Sequence, residues 1–133
     1  MPSEVAQVMI QALDAKDKQT LLGLVATKME TAAIDEIYRK HGRSHDTKPA
    51  EAARLSAAGW QATYAFFEKG ATYVTEERME PAGAGGAETA MVIARGANAS
   101  TGEPQLLIIE LVQEGGLWKV KAGLQTGEAM PQR

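Results

Sequence analysis

The sequence contains no cysteine. That excludes disulfides, thiolate metal sites and thiol nucleophiles, and it leaves the redox compartment open. Positive charge is in deficit: a net charge of −3 and a pI near 5.4 provide no basic field for nucleic acid or anionic lipid. No apolar run approaches the roughly 20 residues that span a bilayer, and no signal peptide precedes the first helix. As written, the chain is expected to be cytoplasmic. Because a helix begins almost at Met1, an exported or periplasmic protein stripped of its leader is the alternative. A strong catalytic, metal or nucleotide motif is also missing. Gly83 to Gly86 is glycine-rich but lacks the lysine and the strand–helix context of a phosphate loop. No cofactor is called for.

What is present is ordinary globular material. With 133 residues, 44% of them apolar and 23% charged, the chain can bury one core without staples. We read residues 1–124 as a single domain. Residues 125–133 have no periodicity and are expected to form a disordered tail.

Helical spacing dominates the first half. Ser3 suits an N-cap, and Val5, Val8, Met9, Ala12 and Leu13 make one apolar stripe. Asp17 suits the cap of a second helix carrying Leu21, Leu22, Leu24 and Val25. A third helix is expected from about Thr31 to Gly42, with Ile34, Ile37 and Tyr38 on one face. Pro49 opens a fourth that should run to about Glu68. It bears two apolar stripes, Leu55, Gly59, Ala62 and Phe66 on one side and Trp60, Tyr64 and Phe67 on another, so it should be covered on most sides.

The period changes near residue 70. Strands are expected over residues 72–80, 89–95, 105–113 and 117–123, giving helices packed on the concave face of a curved, four-stranded antiparallel sheet, an α+β layout. Gly115-Gly116 between two apolar runs is a hairpin signal. It sets Leu111 opposite Val120, Ile109 opposite Ala122 and Glu110 opposite Lys121. Val92, Ala94, Leu107, Ile109, Leu111, Trp118, Val120 and Ala122 then face the helices. Met91, Ile93, Leu106, Ile108 and Val112 form an outer apolar patch, rimmed by Arg95, Glu110, Lys119 and Lys121. Such a patch predicts a homodimer through the sheet; a tail folded back over the sheet is the weaker account.

Two stretches carry a family resemblance. Val8-Met9-Ile10-Gln11-Ala12-Leu13-Asp14-Ala15-Lys16-Asp17-Lys18-Gln19-Thr20-Leu21-Leu22 resembles the opening helix pair of nuclear transport factor 2-like domains, and Glu114-Gly115-Gly116-Leu117-Trp118-Lys119-Val120 resembles their final hairpin. The order of elements agrees over nearly the whole chain. The resemblance implies a cone in which the sheet wraps a long helix, commonly dimeric through the sheet, with a pocket at the open end. Its members include ketosteroid isomerase-like and polyketide cyclase-like enzymes, dehydratases, epoxide hydrolases and transport adaptors, so fold does not select a function. The isomerase-like tyrosine of the first helix is missing here, and so is the epoxide hydrolase Asp-Arg-Asp set.

Candidate chemistry is sparse. His41 and His45 stand four apart with Asp46 adjacent, but Gly42 breaks the helix that would converge them, so they read as exposed loop histidines and not as a metal site. Trp60, Tyr64, Phe67 and Tyr73 read first as core; the resemblance raises the alternative that they line a ligand pocket. Alternation along the first strand turns either Glu77 or the Glu76/Arg78 pair inward. An inward Glu77 in a dry pocket could act as a general base beside Tyr64; a solvated strand carboxylate is the plainer reading. Asn98-Ala99-Ser100 is a chance-level glycosylation sequon. The favoured function is a binding or scaffold domain holding a small apolar molecule, because the assignable inward positions supply no acid–base pair. The alternative is an isomerase, cyclase or hydrolase using Glu77 and Tyr64.

Overall fold

The computed structural model describes residues 1–80, 88–121 and 123–128, and the readings made for the glycine-rich 81–87 segment, for Ala122 and for residues 129–133 lie outside them. Among the described residues the order is α1 (Pro2–Ala15), α2 (Lys18–Leu24), α3 (Thr27–Lys40), α4 (Pro49–Tyr64), β1 (Tyr73–Glu80), β2 (Thr89–Ala97), β3 (Pro104–Glu114), β4 (Leu117–Val120) and β5 (Gln125–Glu128). The architecture is α+β, with an open antiparallel sheet in the order β1-β2-β3. Strands β4 and β5 lie end to end along the other edge of β3.

The hairpin is the expected one. Gly115 and Gly116 take φ of 61° and 79°, the pair of positive values that a two-residue turn matched to strand twist requires. Leu111 pairs with Val120. The Lys121 ammonium lies 3.2 Å from Glu110 Oε2, a half-exposed pair contributing under ~1 kcal/mol. Val92, Ala94, Leu107, Ile109, Leu111 and Val120 are all at 0% exposure, and they join α1, α2 and α4 in one core. Trp118 is half-buried against the same core.

The tail is a correction. Residues 125–128 carry no apolar alternation, yet they pair with β3 from Ile108↔Gln125 to Gln105↔Glu128. β4 covers only Leu111–Glu114 of the eleven-residue β3. Backbone groups left unpaired on a long strand are costly when shielded from water, and β5 satisfies them whatever its side chains are.

Two helix starts also differ from expectation, for a shared reason. Ser3 does not cap α1; its own N–H donates to Glu77 Oε1 of β1 at 2.8 Å. α3 begins at Thr27, not near Thr31, because Glu114 of β3 accepts the N–H groups of Lys28 and Met29 at 3.2 and 2.9 Å. Carboxylates suit the positive ends of helices, and here the sheet delivers them. Asp17 caps α2 locally as expected, accepting from the Thr20 N–H and hydroxyl.

α4 stops at Tyr64, four residues short of the expected end. Phe67 leaves the helical path to bridge Asn98, and the Glu68 N–H donates to Ala97 O at 2.7 Å. That turn buries Phe67 face to face with Tyr64, ring centres 5.3 Å apart. Only one of the two α4 stripes is covered. Trp60, Tyr64 and Phe67 are buried, whereas Leu55 and Phe66 remain 50% and 67% exposed. The small Ala52, Ala53 and Ala57 are also buried on the covered side, which permits close helix approach.

Phe67 and β2 meet at Gly96. A Cβ there would fall 2.6 Å from Thr72 Oγ1 and 2.9 Å from Phe67 Cδ2. Gly96→Ala should therefore destabilise the fold by roughly 1–3 kcal/mol, the usual cost of overpacking. It would be read as a lower urea midpoint with an unchanged slope. An unchanged midpoint would mean that Phe67 swings clear at no cost.

Candidate functional site

The last turn of an α-helix is an unfavourable place for a carboxylate, because the partial negative end of the helix repels it. Asp14 nonetheless sits there, in α1, and its partners explain why. Asp14 Oδ1 accepts the Tyr64 hydroxyl at 2.6 Å and the Gly70 N–H at 3.1 Å. The Tyr64 oxygen is also 3.0 Å from Thr72 Oγ1. One carboxylate thus ties together α1, the end of α4 and the segment leading into β1.

Beside this node opens a cleft of about 370 Å³ lined by Leu13, Asp14, Lys16, Gln61, Tyr64, Ala65, Phe67 and Lys69. Its walls are mainly apolar, with Lys16 and Lys69 contributing cationic ends. Lys16 is held in the left-handed conformation, φ 54°, where α1 terminates. Neither lysine makes an ion pair or a side-chain hydrogen bond among the described residues. On the other side of Asp14, Gln7, Ile10, Gln11, Thr72 and Tyr73 line a shallower groove of about 280 Å³.

The structure sorts the expected pocket residues. Tyr64 and Phe67 line the cleft. Trp60 does not: it is 1% exposed in the core, and its Nε1–H finds no acceptor among the described residues. Tyr73, 57% exposed and paired with Arg95, lines the shallower groove and not the cleft.

Glu77 lies on the helix side, opposite the buried Val92. A β-bulge between Val74 and Glu76 explains why Tyr73 and Glu77 do not share a face, since one extra residue inverts the alternation. Glu77 is not near Tyr64. It meets α1 at Ser3 and Tyr64 meets it at Asp14, about 16 Å apart along the helix at the usual rise. The pairing of Glu77 with Tyr64 as base and acid is therefore corrected: the carboxylate that meets the phenol is Asp14. Sequence reasoning quoted Asp14 within the family resemblance without a role, although its electrostatically unfavourable position was a signal.

Both members of the node are committed. Burial, and then the hydrogen bond to Asp14, push the Tyr64 phenol well above the ordinary tyrosine pKa. It is a held proton donor and not a base.

The histidines do not converge on a metal. His41 is exposed. His45 is half-buried, not the exposed loop residue expected: it stacks on Tyr38 with ring centres 4.1 Å apart, and its Nδ1 lies 2.9 Å from Thr47 Oγ1. Asp35 accepts both the Thr47 hydroxyl (2.6 Å) and its N–H (2.9 Å), and these bonds hold its carboxyl below the ordinary range. This cluster fastens the α3–α4 connection. Among the described residues no group of three or more candidate ligands could hold a metal, and no helix is long and apolar enough to cross a membrane. Asn98 of the sequon spends its side-chain oxygen on the Ser100 and Thr101 N–H groups.

Of the outer patch, Met91, Ile93, Leu106 and Ile108 are half-buried, while Val112 is 1% exposed within the single chain. No family model, no curated protein and no solved structure matches the chain.

Removing the phenol hydroxyl tests the node. Tyr64→Phe should cost roughly 1.5–3 kcal/mol, the range for a hydrogen bond to a charged group. The alkaline behaviour gives an independent reading. A raised folded pKa means that the contribution is complete below about pH 10, where an unfolded tyrosine titrates, and is lost as the pH rises above it. Urea midpoints should thus fall more steeply between about pH 9 and 11 in the unmutated protein than in Tyr64→Phe. Parallel curves would show that Tyr64 ionises normally.

Proposed function

We propose that this chain is a small binding domain of the nuclear transport factor 2-like type. Its ligand is a small, largely apolar molecule seated in the cleft between the C-terminal ends of α1 and α4. The observation that carries the reading is the composition of that cleft: an apolar lining from Leu13, Ala65, Tyr64 and Phe67, with Lys16 and Lys69 at its rim and unpaired among the described residues. Apolar concavities carrying a few placed polar groups are the usual form of small-molecule sites. The family assignment is supported by the helix-then-meander order and by the hairpin.

Binding is favoured over catalysis because the available acid–base groups are already engaged. Tyr64 donates to Asp14, Asp14 also accepts from Gly70, and Glu77 closes the start of α1. Proton transfer to a substrate would require breaking contacts that hold the fold.

Anilinonaphthalene sulfonate, an aromatic body with an anionic end, is a suitable probe. It should bind the unmutated protein saturably with enhanced fluorescence. Ala65→Trp, an exposed position on the cleft wall, should weaken binding by at least about tenfold, equivalent to ~1.4 kcal/mol. Lys16→Ala should weaken it several-fold without lowering the thermal midpoint. Unchanged affinity in both variants would refute the site.

A further inference from the structure

Between the last turn of α3 and the chain that leaves it lies a second concave site. Ile37, Tyr38, His41 and Arg43 line a groove of about 370 Å³ there. Gly42, at φ 71°, reverses the chain, and the Arg43 N–H returns to Tyr38 O at 2.9 Å. One wall is therefore helix and the other is the chain just beyond it.

The aromatic part of this groove is held in place. Tyr38 stacks on His45 with ring centres 4.1 Å apart. His45 Nδ1 meets Thr47 Oγ1, and Asp35 accepts the Thr47 hydroxyl. No residue of α3 is buried, so the core does not fix this ring. A chain of polar contacts does so instead, which is the kind of support that keeps a binding surface preorganised.

Charge is also left over here. Between residues 35 and 48 four basic side chains outnumber three acidic ones, although the whole chain has a net charge of −3. Each of those acids is engaged: Asp35 with Thr47, Glu36 with Arg39 and Asp46 with Lys48. His41 and Arg43 are exposed, and neither side chain has an ion pair or hydrogen bond among the described residues. The helix dipole does not account for Arg43. Arg39 and Lys40 already occupy the last turn, and the effect of the dipole fades beyond it. Among the described residues no carboxylate lines the groove.

We propose that this groove binds a small organic oxyanion, with Arg43 and His41 at the anion and Ile37 and Tyr38 against an apolar ring. A guanidinium presents paired N–H donors that match carboxylate and phosphoryl oxygens. Ile37, 58% exposed, and the fixed Tyr38 ring provide the apolar contact. That contact is what separates such a ligand from an inorganic ion.

Titrations with phenyl phosphate, benzoate and inorganic phosphate, followed through backbone amide NMR shifts, test the site. At millimolar concentration at least one of the two ring-bearing probes should shift the amides of residues 37–43 saturably, and the tighter binder assigns the anion. Inorganic phosphate should bind at least about tenfold more weakly, because it leaves the apolar wall uncovered. Arg43→Ala should weaken the ring-bearing probe by at least about tenfold without lowering the thermal midpoint. Ile37→Ala should weaken that probe several-fold and leave inorganic phosphate unaffected. Ala65→Trp, placed in the cleft at the ends of α1 and α4, should leave this binding unchanged, so the two sites stand or fall separately. Absence of saturable binding by both ring-bearing probes overturns the proposal. So do equal affinity for inorganic phosphate, shifts confined to Leu13, Tyr64 and Phe67 of the cleft, or indifference to Arg43→Ala or Ile37→Ala.

Discussion

The middle of the inner face of β2 and β3, from Val92 and Ala94 to Leu107, Ile109 and Leu111, is aliphatic and fully buried, and covering it is the constraint that the rest of the molecule serves. α1 lies across β1, β2 and β4 and supplies Ala6, Met9, Ile10 and Leu13 to that surface. Apolar burial is non-directional, so it does not by itself fix how a helix sits along a sheet. Polar ties at the two ends of α1 do that. Glu77 receives the Ser3 N–H at the start, and Asp14 gathers Tyr64 and Gly70 at the finish. Hydrophobic area provides the stability, and two carboxylates set the position.

The same division explains which features were legible in the sequence. The hairpin, the Leu111–Val120 register, the Glu110–Lys121 pair and the inward set of β2 and β3 follow from side-chain alternation and a Gly-Gly turn, both local properties. Several departures from the sequence reading were decided by contacts from far along the chain. α3 starts early because a carboxylate 85 residues away satisfies its first turn. β5 forms because β3 is too long for β4, a mismatch that side-chain pattern does not record. The Thr75 bulge separated Tyr73 from Glu77, and a single unpaired residue has no periodicity to betray it. Of the expected pocket set, Tyr64 and Phe67 reach the cleft, Trp60 fills the core and Tyr73 borders the shallower groove instead.

α4 has two faces with different obligations. Its inner face must fit alanines, Trp60 and Tyr64 between the other helices and the sheet. Its outer face carries Leu55, half exposed, and Gly59, where a Cβ would meet no other atom among the described residues. Selection for folding alone would replace such a face with Glu, Lys and Ala, which raise helix stability and solubility together.

The cleft belongs to a third region, where α1 and α4 both end and neither continues. Helix ends leave backbone groups and left-handed residues close together, and here they bring apolar walls and two lysines to one opening. Lys16 occupies such a left-handed terminal position and Lys69 lies in the segment following α4. Asp14 ties the two helix ends together beside this opening through its bonds to Tyr64 and Gly70. The carboxylate that meets the phenol is therefore already engaged in holding the ends of α1 and α4 together.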